Sequence, residues 1–218
     1  MIHAYDKSYL SAAQKNLARM LDYLVNDLHY PLETAWQWFL ISKMAFRFEQ
    51  GDCSVLVGLS GVELARAVLE QAGEAVPMQK PSYAYDRSPE YWTGWALAYY
   101  QWLTSLRFAE IEQAVSITKV RLLYTPYHEM DVRQFVDKMN ELYRAAKPET
   151  NLKAMRTLAG LSQSELAGQA DVPVRTIQQY EQRQKDINKA QAETLLRLAR
   201  ALNCNVEDLM EKVPPLNF

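Results

Sequence analysis

Apolar positions recur every three to four residues along most of this chain, with polar positions between them, the pattern of amphipathic helices. Leu10, Ala13, Leu17, Leu21, Leu24 and Leu28 share one face of a first helix that Pro31 closes. A second helix is predicted over residues 31–48, carrying Trp36, Phe39, Leu40 and Met44 and broken by Gly51-Asp52. Ser60-Gly61-Val62-Glu63 has the form of a capping box and opens a helix through Leu69 to about Gly73. Residues 74–88 contain Pro77 and Pro81 and read as an irregular connection. Ser88 as cap and Pro89 at the first helical position then start a strong helix. Along it Trp92, Trp95, Tyr99, Trp102 and Leu106 follow alternating three- and four-residue steps, a stripe that predicts core packing. Tyr83, Tyr85 and Tyr91 near its start are candidates for lining a pocket or a partner groove. Shorter helical patterns follow over 108–115 and 117–124. Pro126 interrupts, and a helix over 128–146 turns Val132, Phe135, Val136, Met139 and Leu142 inward.

The character of the chain changes at Lys147-Pro148-Glu149-Thr150, where proline disfavours helix at the residue before it. Aromatic residues are dense before this point and sparse after it. The division is therefore placed between a helical domain over 1–147 and a second domain over 148–218. Five short helices are predicted in the second. Residues 152–158 form the first, closed by Gly160; Ser162 caps the next, with Glu165 completing a capping box. A third begins near Pro173 and runs to about Gln182. A fourth spans 189–202, and Asn205 caps a last one over 206–210.

Composition narrows the class. With 49% hydrophobic and 23% charged residues the chain is an ordinary globular protein rather than a disordered one. Its net charge of −2 announces no polyanion partner globally, although residues from Thr150 onward carry nine Lys/Arg against eight Asp/Glu. Cys53 and Cys204 are far apart and support neither a disulfide framework nor a cysteine zinc site, which points to a reducing cytoplasm. No signal-peptide pattern and no membrane-length apolar stretch is read. His3, His29 and His128 are scattered, without metal-ligand spacing. Gly58-Leu59-Ser60-Gly61 is not a nucleophile elbow, and no phosphate-binding or dinucleotide motif occurs. No metal or cofactor is expected, and the chain reads as a non-enzyme.

The most informative run is Leu161-Ser162-Gln163-Ser164-Glu165-Leu166-Ala167, followed by Val172-Pro173-Val174-Arg175-Thr176-Ile177-Gln178-Gln179-Tyr180-Glu181. Read physically, these are two short helices joined by a tight corner. Ile177 and Tyr180, three apart, face the core, with Val172 anchoring the turn. Val174, Arg175, Gln178 and Gln179 then face outward. Arginine pairs both acceptors of a guanine edge and glutamine both groups of an adenine edge, while Val174 suits a thymine methyl. Gln163, at the start of a helix whose dipole favours phosphate, suits a backbone contact.

These segments, with the trailing Leu195-Leu196-Arg197-Leu198-Ala199-Arg200-Ala201-Leu202 and Val206-Glu207-Asp208-Leu209-Met210, resemble the Cro/repressor-type (XRE-type) helix-turn-helix family over about residues 151–211. The periodicity predicts an all-α fold with a helical N-terminal domain that resembles no recognised family, and the resemblance, confined to the C-terminal domain, implies a five-helix lambda-repressor-like DNA-binding domain there. It places Val174, Arg175, Gln178 and Gln179 where the family reads bases. Gln163, Thr176, Arg183, Lys185, Asn188 and Lys189 are the candidates for the phosphate backbone, and Arg156 with Glu181 for a structural ion pair. Two departures stand out: Asp171 at a corner that usually carries glycine, and Pro173 where a Ser or Thr cap is common.

The resulting expectation is a cytoplasmic transcriptional regulator, a repressor, binding a pseudo-palindromic operator in double-stranded DNA as a homodimer. The N-terminal domain or residues 213–218 would contribute the dimer interface. The N-terminal domain would take a protein partner or a small effector, with no membrane involved. The alternative is an antitoxin whose N-terminal domain binds a protein partner while the DNA reader controls its own operon.

Overall fold

The structure, a computed structural model, describes residues 3–76, 78–82, 87–147 and 149–213, and every regular element among them is helical. The chain divides into two compact units, Met1–Ala146 and Lys147–Phe218. Among the described residues, no helix is long and apolar enough to cross a membrane.

The N-terminal unit is built on α1 (Lys7–Asp22), capped by Asp6, whose carboxylate accepts from Ser8 N at 2.8 Å. Its end widens into a π-helical turn, Tyr23–Asp27, followed by α2 (Leu32–Ile41), α3 (Lys43–Glu49), α4 (Cys53–Leu56) and α5 (Gly61–Ala72). Ser60 and Glu63 form both bonds of the capping box that opens α5, and Gly73 ends it at φ 78°. The long α6 (Pro89–Thr104) is capped by Ser88 with proline at its first position. Then come α7 (Phe108–Ala114), α8 (Ile117–Leu122), α9 (Tyr124–Tyr127) and α10 (Val132–Ala146). Phe39, Phe48 and Trp36 pack on Phe108 with ring centroids 5.3–5.6 Å apart, joining α2, α3 and α7 into one aromatic core. Each such pair adds about 0.5–1.5 kcal/mol beyond its buried area.

Three local expectations are corrected. The helix predicted over 31–48 breaks at Ser42, which is extended (φ −77°, ψ 153°). Its hydroxyl donates to Phe39 O at 2.7 Å and accepts from Ala45 N, offering the backbone an alternative to continuing the helix. The break leaves Ile41 and Phe46 exposed, at 76% and 63%. The aromatic stripe of α6 is core only at its end. Trp102 and Leu106 are buried, whereas Trp92, Trp95 and Tyr99 are half-buried. The deepest face carries Gly94, Leu97, Ala98, Gln101 and Thr104, because α6 lies close on α1: a Cβ at residue 94 would meet Leu17 O at 2.6 Å. Finally, α10 starts at Val132 rather than His128, with Asp131 accepting from Arg133 N at 2.8 Å at its entry.

Buried charges tie the π-turn to its surroundings. Asp27 accepts from Ser82 N at 2.9 Å and pairs with Arg19, which also pairs with Asp22. Glu90, buried on α6, pairs with Arg121 and accepts from Asn26 at 3.2 Å. Burial pushes its carboxyl up, but the bonds from Arg121, its own backbone amide and Asn26 together outweigh burial and hold it below the usual carboxylate range. Its folded pKa is thus lower than its unfolded one. The stabilisation is complete above the unfolded value and is lost as pH falls through the folded value. Glu90→Gln is expected to cost about 1.5–3 kcal/mol at neutral pH, the range for bonds to a charged group, and to flatten the acid limb of stability. Asp6, Glu33, Asp52 and Glu63, also held low, keep part of that slope. Urea unfolding followed by tryptophan emission reads this unit selectively, since all five tryptophans lie in it. An unchanged acid limb in the variant would contradict the assignment.

The C-terminal unit comprises α11 (Asn151–Leu158), α12 (Gln163–Ala170), α13 (Val174–Glu181), α14 (Ala192–Ala201) and α15 (Val206–Leu209). Leu152, Leu166, Ile177, Leu198 and Leu209, one from each helix, meet at its centre and are 0–1% exposed. Burying each such side chain contributes about 1.5–3 kcal/mol before chain entropy is counted. The helix predicted from 189 starts only at Ala192. Asp186 accepts from Asn188 N at 3.0 Å and sets up a 3-10 turn, Ile187–Lys189, ahead of it. Val213 is buried, and residues 214–218 of the proposed interface tail lie outside the described residues, as do Tyr83 and Tyr85.

Candidate nucleic-acid interface

The surface of interest is built from α12, a tight corner and α13. Ser162 and Glu165 form both bonds of a capping box: Glu165 N donates to Ser162 Oγ at 3.1 Å, and Ser162 N to Glu165 Oε2 at 2.8 Å. The Ser162 backbone bond, helped by its hydroxyl, holds the Glu165 carboxyl below its ordinary value. At the corner, Asp171 takes the left-handed conformation (φ 50°, ψ 48°) that non-glycine residues rarely adopt. Arg197 of α14 braces it, donating from Nη1 to Asp171 Oδ2 at 2.8 Å and to its carbonyl at 3.2 Å. Pro173 is the N-cap of α13 rather than its first helical residue. It offers no side-chain cap, and its carbonyl accepts from Thr176 N at 2.8 Å and Ile177 N at 3.3 Å.

Along α13 the spacing separates two faces. Ile177 and Tyr180 point into the core, at 0% and 9% exposure. Burial raises the Tyr180 hydroxyl pKa above its ordinary value. Arg175 and Gln178 are exposed and Gln179 is half-buried along the outer side, Thr176 is half-buried, and Val174, expected to face outward, is half-buried and packs against the core. The outer face therefore combines one cation and two primary amides on a rigid two-turn helix, with the partly exposed Val174 at its edge. That is a donor–acceptor set matched to base edges.

A hydrogen-bonded chain orients part of this face. Glu181, at the buried end of α13, accepts from Arg156 Nε at 2.6 Å, Arg156 Nη2 at 3.1 Å and Gln163 Nε2 at 2.7 Å. Arg156 also donates from Nη1 to Leu161 O at 2.6 Å, so one guanidinium fixes α11, the loop before α12 and the end of α13. The two side chains are 13% and 3% exposed, and the bond to Glu181 holds the guanidinium pKa above its ordinary value. Because Gln163 donates to a carboxylate, its amide has one sensible orientation, with Oε1 aimed at Gln178 Nε2 3.3 Å away. The amide of Gln178 is thereby oriented in turn, its oxygen left as the acceptor toward solvent. Gln163 thus couples the buried ion pair to the outer face. Sequence reading gave it only a phosphate contact, and no local signal links residues 163, 178 and 181.

This arrangement of two helices about a left-handed corner, with its polar outer face, coincides with the one segment that comparison with known protein families picks out. The helix-turn-helix family model matches residues 152–209. The C-terminal unit is a helix-turn-helix domain. No family model matches the N-terminal unit. Comparison with curated proteins and with solved structures finds no match.

In the helix-turn-helix domain the remaining candidate residues fall into two groups. Arg183, at φ 56°, donates from Nη2 to the carbonyls of Lys147 and Glu149, at 3.1 and 3.2 Å. Asn188 bonds the backbone of Glu211 in both directions, its Oδ1 accepting from Glu211 N at 2.8 Å and its Nδ2 donating to Glu211 O. Both side chains clamp the domain's own backbone. Lys185 and Lys189, by contrast, are exposed in the segment after α13 and point their charge into solvent. The domain is a DNA-binding regulatory module, and its chemistry is recognition rather than catalysis.

Proposed function

We propose that the protein represses transcription as a homodimer that places two copies of α13 in successive major grooves of a pseudo-palindromic operator. The observation that carries this reading is the outward set of α13. Arg175, Gln178 and Gln179 share one side of a helix whose other side is locked by Ile177 and Tyr180 and whose amide at Gln178 is pre-oriented, with the partly exposed Val174 at the edge between them. Arg175 reads guanine, Gln178 and Gln179 read adenine, and Val174 meets a thymine methyl, each good pair giving about 1–3 kcal/mol of discrimination. Gln163, Thr176, Lys185 and Lys189 take phosphates, while Arg183 and Asn188 act by holding the frame. Nine basic against eight acidic residues from Thr150 onward leave little sequence-independent attraction. Selectivity then rests on base contacts made twice, about 34–36 Å apart in a dimer. Occlusion of a promoter needs nothing beyond such binding, which favours repression over activation.

The test is selection of bound DNA from a random pool. Arg175→Ala and Gln179→Ala are each expected to weaken binding to the selected site by about 5–150-fold, equivalent to 1–3 kcal/mol. Both variants should retain the helical fold, since neither side chain is buried. Unaltered site preference in both would remove the base-reading assignment.

A further inference from the structure

The half-buried rings of α6 have a use that core packing does not explain. Between α6, α9 and the start of α10 lies a half-open cavity of about 630 Å³, walled by Tyr91, Trp92, Trp95, Tyr124, Tyr127 and Phe135. That volume is in the range of small-molecule sites, which are mostly apolar with a few fixed polar groups. The walls hold one another in place. Trp92 stands edge-on to Tyr124 and to Phe135, with centroids 5.8 and 5.2 Å apart. An aromatic guest would therefore meet preformed ring surfaces rather than a collapsed core.

The charges at the rim select the guest. Arg87 lies over the Tyr91 ring, 4.6 Å from its centroid. His128 stacks on Tyr124 at 4.3 Å and donates from Nδ1 to Tyr124 O at 3.0 Å, which leaves Nε2 as the other polar position of the ring. Among the described residues, no carboxylate lines the cavity. Among the described acids nearby, Glu129 lies at the rim, 86% exposed with its carboxylate 3.6 Å from His128 Nε2, Asp131 accepts from Arg133 N, and Glu90 is committed to Arg121 and Asn26. An aromatic cage would ordinarily favour a cation. Here a cation would meet the Arg87 guanidinium, and no carboxylate among the described lining residues offsets it. We propose that the cavity binds a small planar aromatic carboxylate, its ring among Trp92, Trp95 and Tyr127 and its carboxylate on the Arg87 guanidinium. This site is separate from the DNA-reading surface, and its failure would leave that reading standing.

Calorimetric titration of the full-length protein with 2-naphthoate, 2-naphthalenemethanol and (2-naphthylmethyl)trimethylammonium tests it. Naphthoate is expected to bind one per chain, at least tenfold tighter than the neutral alcohol or the cation. Arg87 is exposed, so Arg87→Gln leaves the core intact. It should weaken naphthoate at least tenfold and the alcohol less than threefold. Equal or tighter binding of the alcohol or the cation, an unchanged naphthoate affinity in Arg87→Gln, or no binding of any probe at millimolar concentration would overturn the proposal.

Discussion

Replacing Glu181 by alanine is expected to destabilise the helix-turn-helix domain by about 3–5 kcal/mol, the cost of stranding one member of a buried ion pair. The carboxylate receives three donors, two from Arg156 and one from Gln163, and is nearly inaccessible to water. Its loss leaves a guanidinium beside the core with only Leu161 O to satisfy it. It also frees Gln163 to turn, so Gln178 loses its orientation. Residue-resolved hydrogen exchange of the full chain measures the effect. Amides of α11, α12 and α13 should exchange about two to nearly four powers of ten faster at a stability loss of that size. Protection equal to that of the native protein would show that the pair is solvated and dispensable. The double replacement Arg156→Met with Glu181→Leu should recover much of the stability, because apolar packing substitutes for a buried pair. It should not recover the Gln163–Gln178 geometry, and site preference at the base facing Gln178 should relax.

Gly94→Val should strongly destabilise the N-terminal unit. In mid-helix, glycine is normally a liability of about 0.8–1 kcal/mol relative to alanine. At residue 94 the balance reverses. An added Cβ would lie 2.6 Å from Leu17 O and 2.8 Å from Ala18 Cα, both on α1, and backbone atoms cannot rotate away. Overpacking of this kind costs about 1–3 kcal/mol for small additions and more as methyls accumulate. Gly94→Ala is thus expected to lose about 1 kcal/mol net, and Gly94→Val about 3 kcal/mol or more, on the thermal or urea unfolding of the tryptophan signal. A rise in stability in Gly94→Ala would mean that α1 and α6 are not in close contact.

These two sites mark the limit of what the residue pattern reveals. Capping is local, and Ser60 with Glu63, Ser88 with Pro89 and Ser162 with Glu165 start helices where their spacing says they should. The helix-turn-helix is legible for the same reason, because its helices are short, the first is capped by Ser162 with Glu165, and they are separated by a corner that Asp171 can adopt. Close approach between distant segments leaves no such trace. Gly94 and Ala98 carry little weight in a hydrophobicity pattern, yet their smallness decides which face of α6 is deepest, and Trp92 and Trp95, prominent in the pattern, end up half-buried. Ser42 looks like one polar position in a long amphipathic helix until its hydroxyl is seen to take Phe39 O. The bridge from Glu181 through Gln163 to Gln178, and the brace from Arg197 to Asp171, join residues 15 or more apart whose pairing depends on the tertiary fold.

The central claim is that α13 reads DNA sequence through its outer face. Its most direct measurement is enrichment of binding sites from a random double-stranded pool by the native protein and by Arg175→Ala. The account predicts that the native protein enriches a two-fold related pair of half-sites one duplex turn apart, and that the variant loses preference at a single guanine in each half while keeping the rest. A native protein that enriches no site, or a variant whose enriched site is indistinguishable from the native one, would contradict it.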